Sequence, residues 1–561
     1  MNPLLECVPN FSEGNDLEKI KEITQSIEAV PGIRLLNVDP GKATNRTVVT
    51  FIGSPEAVME AAFQGIKKAG EILDMRHHTG AHPRMGATDV CPLIPIRDIS
   101  MEETAKYARK LGERVGSELQ IPVYLYEEAQ ENKKRSNLSH IRAGEYEGFS
   151  EKIKLPEWKP DFGPCIFDEK RGATVIGARD FLIAYNINLN TKSVQRANSV
   201  AFDVRETGRV LRENNSPTGK EIKDEKGKPI WVPGSLKSVK AIGWYIEEYG
   251  IAQISMNLTN IRITPLHIAF DEVNKKAMER GLRVTGSELV GLVPLQALID
   301  TAVYYLDKQK RSSGLNEKEL VNFAIHTLGL NELQPFNPKE RIIEYLIEER
   351  QDKKLASLSL ENFANETASE SPAPGGGSVS AYLGVLAASL GAMVANLSAH
   401  KKGFEENWKE FSHWAKKGQK IKDQLLILVD EDTLAFTRIM DAFGLPKATE
   451  LEKKIRKSAI DKATKTAIEV PFQVMKSGFE SFALLKEMAE KGNPNSISDI
   501  GVGALSARSC ILGAHLNVKI NAKELHDPQF TEPILLEARQ IEVETLKLEK
   551  EILDLVEQKI G

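Results

Sequence analysis

The chain has 561 residues, too many for one hydrophobic core, so about three domains are expected. Its hydrophobic (41%) and charged (27%) fractions are ordinary for a globular protein, and a net charge of -5 argues against a general nucleic-acid binder. The four cysteines, Cys7, Cys91, Cys165 and Cys510, form neither a CxxC pair nor a zinc-type cluster, which predicts reduced thiols, no metal and a cytoplasmic setting.

The chain opens on Met1 to Cys7, which has no basic stretch followed by an apolar one, so no signal peptide is expected. Residues 4–8 then read as a strand, 17–27 as a helix, 33–38 and 47–53 as strands, 55–73 as a helix with proline in its first turn, and 90–96 as a strand. This is a βαββαβ order, the ferredoxin-like pattern, extended by a helix over 101–119 and a strand over 123–126. The order recurs after residue 180: strand 181–189, helix 195–206, strands 239–246 and 251–258 around a Glu-Glu-Tyr-Gly turn, helix 265–280 and strand 282–290. The polar stretch 206–237 between them predicts an exposed hairpin or loop.

After Pro294 the pattern turns helical. Helices are expected over 379–397, 404–443, 451–475, 479–491, 500–516 and 533–557, forming an all-α domain. The fold class is therefore α+β, two ferredoxin-like subdomains followed by a helical domain. The boundaries are 1–180, 181–346, a charged linker 347–354, and 355–561. Residues 379–397 are nearly uncharged and long enough to span a bilayer. Their small residues, Gly384, Ala388, Gly391 and Ala395, suit a buried core helix, and no second candidate span is expected.

The densest concentration of titratable groups is the loop from Arg76 to Pro92. It gathers His77, His78 and His82 with Arg76 and Arg84 ahead of an apolar strand. A solvated loop is the ordinary explanation, but this crowding points to general acid/base chemistry. In the helical half, Ala373-Pro374-Gly375-Gly376-Gly377-Ser378 precedes the apolar helix, where unpaired N–H groups suit an anion. Asp430, Glu431 and Asp432 follow an apolar run, and Asp432 shares a helix face with Leu428 and Phe436. The loop from Asn493 to Asp499 caps the next helix through Ser498 or Asp499, which leaves Asn493 and Asn495 over as candidates.

Assembled, these pieces resemble the formimidoyltransferase-cyclodeaminase family over essentially the full length. The resemblance rests on Glu6-Cys7-Val8-Pro9-Asn10-Phe11-Ser12-Glu13-Gly14, Thr44-Asn45-Arg46-Thr47-Val48, His82-Pro83-Arg84-Met85-Gly86-Ala87, Ile141-Arg142-Ala143-Gly144-Glu145-Tyr146-Glu147 and Asp161-Phe162-Gly163-Pro164. In the second half it rests on residues 373–378, the acidic cluster ending at Asp432, and residues 492–499. It implies transfer of the formimidoyl group from N-formimidoyl-L-glutamate to N5 of tetrahydrofolate. Closure of 5-formimidoyltetrahydrofolate to 5,10-methenyltetrahydrofolate follows, with release of ammonia, in histidine degradation. The family's catalytic histidine falls on His82 and its catalytic aspartate on Asp432, with Asp430 the competing carboxylate. Its folate-contacting segment falls on Gly163, Pro164, Cys165, Ile166, Phe167, Asp168, Glu169, Lys170, Arg171 and Gly172. Asp39 and Arg46, at strand ends near the same face, are placed to orient His82 or to bind a substrate carboxylate. No permanently bound cofactor is expected. Tetrahydrofolate, as the polyglutamate, is a co-substrate, and a homo-oligomer with no nucleic-acid or membrane partner is expected. Residues 206–237 look like an insertion relative to animal members. Two alternatives keep the transferase: a helical half that is a methenyltetrahydrofolate cyclohydrolase, or one that is a non-catalytic oligomerisation module.

Overall fold

A computed structural model describes residues 3–42, 44–80, 83–215, 219–347, 355–371 and 373–561. Most of the expected linker, and His82 itself, lie outside the described residues. The chain forms two compact units. One runs to Ala297 and resumes at Leu328; the other combines Leu298–Thr327 with the described chain from Leu355 onward.

The first unit contains two large sheets and a small two-stranded ribbon. Its strands are β1 (Leu4–Cys7), β2 (Asn10–Phe11), β3 (Arg34–Gly41), β4 (Arg46–Gly53), β5 (Thr88–Arg97), β6 (Val123–Glu127) and β7 (Thr174–Ala178), with helices α1 (Leu17–Glu28), α2 (Pro55–Ile72), α3 (Met101–Glu118), α4 (Leu138–Ile141) and α5 (Glu145–Lys152). β1 and β2 are halves of one broken strand, and both pair antiparallel with β4 and β5. With β3 on the outer edge of β4, this is the ferredoxin-like arrangement, to which β7 and β6 add in parallel on the far side of β5. The short strands β2 and β7 carry too little periodicity to stand out in the sequence. Local capping fixes the helices: Ser54 caps α2 ahead of Pro55, and Ser100 with Glu103 forms a capping box on α3. Leu5, Cys7, Phe51, Leu93 and Ile176 point to the helix side and form the core with α1, α2 and α3.

The second sheet consists of β8 (Ile183–Leu189), β11 (Val239–Ile246), β12 (Ile251–Leu258) and β13 (Val284–Val290), in the order β11-β12-β8-β13 and wholly antiparallel. Helices α6 (Val194–Val204) and α7 (Leu266–Glu279) cover one face. Between α6 and β11 the expected loop contains a small paired ribbon, β9 (Arg209–Val210) with β10 (Trp231–Val232). The fold is thus two α/β subdomains followed by a helical domain.

Helices α8 (Leu295–Lys308) and α9 (Glu317–Leu328) lead to α10 (Pro338–Arg341) and α11 (Ile343–Ile347). The turn between α8 and α9 belongs to the helical unit: Asn396 Nδ2 and Gln419 Nε2 donate to Gly314 O, and Ser313 N donates to Ser412 Oγ. After α12 (Leu360–Thr367), the bundle is built from α13 (Gly376–Ala399), α14 (Trp408–Gly444), α15 (Glu450–Lys491), α16 (Ile497–Glu524) and α17 (Pro528–Ile560). Two expected helices, 451–475 and 479–491, are one continuous α15, with Pro471 and Gly478 buried inside it. Tertiary packing overrides the local breaking signal there. Helix α16 begins before Ser498 and Asp499, so neither is its cap; Ser496 holds that position. A second helix long and apolar enough to cross a bilayer is present in addition to α13, spanning Pro494–Glu524. The two pack against each other in the bundle core. The expectation of a single candidate span is thereby corrected; Arg508 and His515 interrupt the apolar run of the second helix.

Candidate active sites

On the face of the first sheet opposite α1, α2 and α3, the short helices α4 and α5 pack over Val90, Tyr124, Tyr126 and Val175, and the part over β1 and β4 stays uncovered. Alternation along β1 sends Leu5 and Cys7 into the core and Glu6 to that face, and Asn10, Val48, Thr50, Val90, Pro92, Ile94 and Tyr126 join it. Together with Ala184, Lys240, Asn257, Thr259 and Val290 from the second sheet, they line a cleft of about 370 Å³. Asp39 and Arg46 stand on its wall. Arg46 donates to Asn10 Oδ1, and burial pulls its guanidinium down to about 10 despite the opposing pull of Asp89. Asp39 is exposed. The cleft also holds Glu6, Arg142, Arg179 and Lys240, none of which the residue-by-residue reading singled out. A lone acid inside an apolar strand was the available signal for Glu6. Arg142 and Lys240 carried none, because only packing turns them inward. Glu6 is 3% exposed, and burial pushes its carboxyl up to about 7.

The loop that carries His82 is pinned on both sides of the undescribed residues. Upstream, His78 Nε2 lies 2.9 Å from Asn45 O, and Asn45 Nδ2 donates to Thr79 O at 2.9 Å. Arg84 Nε donates to His78 Nδ1 at 3.1 Å, which makes Nε2 the protonated nitrogen, donating to Asn45 O. The same guanidinium donates to Glu147 Oε1 at 2.6 Å and to His78 O at 3.2 Å. Downstream, Met85 N donates to Asp89 Oδ1 at 3.1 Å, and Arg142 clamps that buried carboxylate with two nitrogens.

The segment Gly163–Gly172 meets the same loop through its last residues only. Ala87 N donates to Arg171 O at 2.8 Å and Ala173 N to Met85 O at 3.0 Å. Gly172 has φ +69°, and a Cβ there would lie 2.2 Å from Met85 O, so only glycine allows this approach. Arg171 is held by Asp168 and by Leu119 O, while Phe167 packs on Tyr146 and Phe149. Ile166 is exposed, as is Cys165, whose thiol reaches Ile153 O. Gly163 packs against Gly116 and Ile121. None of Gly163, Pro164, Cys165, Ile166, Phe167, Asp168, Glu169, Lys170, Arg171 or Gly172 lines the 370 Å³ cleft.

In the helical unit the glycine run and the acidic cluster, distant in sequence, meet. Ser378 Oγ donates to Asp432 Oδ2 at 3.0 Å, and the Ser378 backbone N–H donates to the same carboxylate. The N-terminus of α13 favours a negative charge there. Burial opposes it and prevails, so the Asp432 carboxyl sits above the usual aspartate range. Asp430 points elsewhere: its Oδ1 accepts from Leu355 N at 2.7 Å, an anchor for the incoming chain. Asn493 and Asn495 are not part of this site. Asn493 N donates to Ser398 Oγ and its Oδ1 accepts from Lys401 Nζ and Asn495 N. Ser398 lies twenty residues beyond Ser378 on α13, about 30 Å along the helix axis.

Residues 4–179 match the family described as "Formiminotransferase domain, N-terminal subdomain". Residues 184–348 match "Formiminotransferase domain", and residues 359–540 match "Formiminotransferase-cyclodeaminase". The chain is 43% identical over 534 residues to the formimidoyltransferase-cyclodeaminase of Mus musculus, covering 95% of each chain. It is 45% identical over 305 residues to the glutamate formimidoyltransferase of Thermoplasma acidophilum, covering 54% of this chain and 92% of that one. Its helical part is 38% identical over 203 residues to the methenyltetrahydrofolate cyclohydrolase of Methylorubrum extorquens, covering 36% of this chain and 98% of that one. With matched regions that together take in most of its length, the chain belongs to the formimidoyltransferase-cyclodeaminase family.

Proposed function

We propose that this bifunctional enzyme moves the formimidoyl group of N-formimidoyl-L-glutamate to N5 of tetrahydrofolate and then closes the product to 5,10-methenyltetrahydrofolate, releasing ammonia. The observation that carries the reading is the presence of two separate polar sites, one in each unit, each built from motifs of its own half. The division into 1–180, 181–346, 347–354 and 355–561 is proposed on the three family matches, with Leu298–Thr327 belonging by its packing to the helical unit.

In the first reaction N5 must lose a proton and the glutamate nitrogen must gain one as it leaves. His82 is assigned both transfers, since a neutral imidazole accepts and then returns a proton. Support comes from the flanks of its loop, which Arg84, Asn45 and Asp89 hold in place. Arg46 binds a substrate carboxylate, and Asp39 sits at the same wall. The segment Gly163–Gly172 is assigned to folate, with its pairing to Met85 and Ala87 as support.

In the second reaction N10 attacks the formimidoyl carbon and ammonia departs. Asp432 is assigned the proton transfer from N10 to the leaving nitrogen, because burial raises its proton affinity above that of an ordinary aspartate while Ser378 holds it in place. Asp430 is assigned a structural role. A cyclohydrolase reading of the helical half has one specific support, the likeness to the Methylorubrum protein. Ammonia release separates the two: incubation with formimidoylglutamate and tetrahydrofolate yields glutamate, ammonia and methenyltetrahydrofolate absorbance together. Loss of absorbance from supplied methenyltetrahydrofolate by hydrolysis, with no ammonia released from formimidoylglutamate and tetrahydrofolate, overturns the deaminase assignment.

Tetrahydrofolate acts as a substrate, and we assign no permanently bound cofactor or metal. A homo-oligomer is proposed on the exposed apolar side chains of α13 and α16, such as Leu386, Met393, Val502, Leu505 and Leu516. A cytoplasmic location is proposed on the four free cysteines.

A further inference from the structure

We infer that Glu6 is the group that recognises the cationic amidinium of the formimidoyl donor, an inference that rests on the transferase reading of the cleft. Glu6 sits midway along β1, between β4 and β5, opposite Ile52 and Ile94. Its neighbours Leu5 and Cys7 are fully buried on the helix side, so its carboxyl alone turns to the cleft. It is 3% exposed, and among the described residues the groups that act on its carboxyl, Arg179 and Glu344, do so through space and not through a hydrogen bond. An ionised carboxyl so placed is costly, and buried acids are nearly always paired.

The charges around it explain the vacancy. Arg179, Arg142, Arg46 and Lys240 line the same cleft, and Asp39 and Tyr126 complete its titratable wall. Arg142 is committed to Asp89, and Arg46 donates to Asn10. Arg179 favours the ionised form of Glu6 and Glu344 on α11 opposes it, but burial outweighs both. The pocket therefore offers an acid without a hydrogen-bond donor among the described residues, on a wall that also carries Arg46, Arg179 and Lys240. N-formimidoylglutamate has the complementary pattern. Its two carboxylates suit the cationic wall. Its planar amidinium presents parallel N–H groups that a carboxylate accepts in two-pronged fashion. N-formylglutamate has the same shape with a neutral oxygen in place of the charged nitrogen. Glu6 repels that oxygen, so it sets the preference for amidine over formyl.

The experiment compares wild-type and Glu6→Gln full-length protein, measuring KM for formimidoylglutamate and for tetrahydrofolate and inhibition by N-formyl-L-glutamate. Glutamine keeps the shape and removes the charge. The expected result is a roughly tenfold to hundredfold rise in KM for formimidoylglutamate. Inhibition by the formyl compound should be unchanged or stronger, and the tetrahydrofolate KM should stay within about twofold. An unchanged amidine-to-formyl preference, or equal losses for both substrates, overturns the inference. Should Glu6→Gln fail to fold, Glu6→Asp decides: it keeps the charge on the same wall and the preference survives, whereas a folded Glu6→Asp enzyme without the preference overturns it. Wild-type protein that releases no glutamate sinks the transferase reading itself, which is a separate outcome from an unaltered Glu6→Gln.

Discussion

The carboxylate of Asp432 rests against the α-carbon of Gly377. A Cβ built on that glycine would lie 2.1 Å from Oδ1 and 2.5 Å from Cγ. The glycine run is therefore the seat of the acidic group. It lets the first turn of α13 approach closely enough for Ser378 to donate twice to Asp432.

Gly377→Ala should accordingly displace the carboxylate, since two packed helices have little room to separate. Ring closure should fall by about a hundredfold, the usual scale for an ångström of misplacement at a reacting group. Glutamate release should be unaffected. Normal methenyltetrahydrofolate formation by this variant would show that the contact is incidental.

Asp432→Asn should stop ring closure, so that 5-formimidoyltetrahydrofolate accumulates while glutamate is still released. Asparagine preserves volume but shuttles no proton at neutral pH. Asp430→Asn should be the milder change, costing about 1 kcal/mol in melting through its hydrogen bond to Leu355 N. Ammonia release by the two variants is the deciding measurement. An inactive Asp430→Asn beside an active Asp432→Asn moves the assignment by two residues.

His82→Ala should lower glutamate release by about a hundred- to ten-thousandfold and leave cyclisation of supplied 5-formimidoyltetrahydrofolate intact. Arg84→Met tests the frame around it. Arg84 ties His78 to Glu147, so its loss should loosen the loop and reduce transfer more than it raises either KM. Equal transfer rates in wild type and Arg84→Met would exclude a positioning role.

Glu6 also makes stability depend on pH. Its folded-state value, about 7, is above the usual 4.5, so the folded protein holds the extra proton between those limits. The contribution of Glu6 to stability is then fully present below about pH 4.5 and is lost as pH rises through 7, by up to about 3 kcal/mol. Urea melts of wild type and Glu6→Gln at pH 5 and pH 8 should show this fall only in the wild type. Parallel profiles would place the Glu6 carboxyl in an ordinary environment.

A fragment ending at Leu346 should transfer the formimidoyl group without forming methenyltetrahydrofolate, but melt below the intact chain. The truncation removes the partners of Ser313 and Gly314, namely Ser412, Asn396 and Gln419. A fragment as stable as the full chain would show that α8 and α9 need nothing from the helical bundle.

The chain by itself determined the periodic elements and the local chemistry. Alternation and helical spacing marked both βαββαβ runs, and the clustering of His77, His78, His82 and Arg84 marked one loop as unusual. These signals are local, because a strand's two faces and a helix's cap are written within a few residues. Tertiary structure alone decided what those elements face. It turned Glu6 and Lys240 into one cleft and set Asp432 on Gly377. It left Asn493 at the far end of α13 and ran α15 unbroken through Pro471. It also joined Leu298–Thr327 to the helical unit. Each of these depends on contacts between residues far apart in the chain, where close packing sets position and periodicity carries no information.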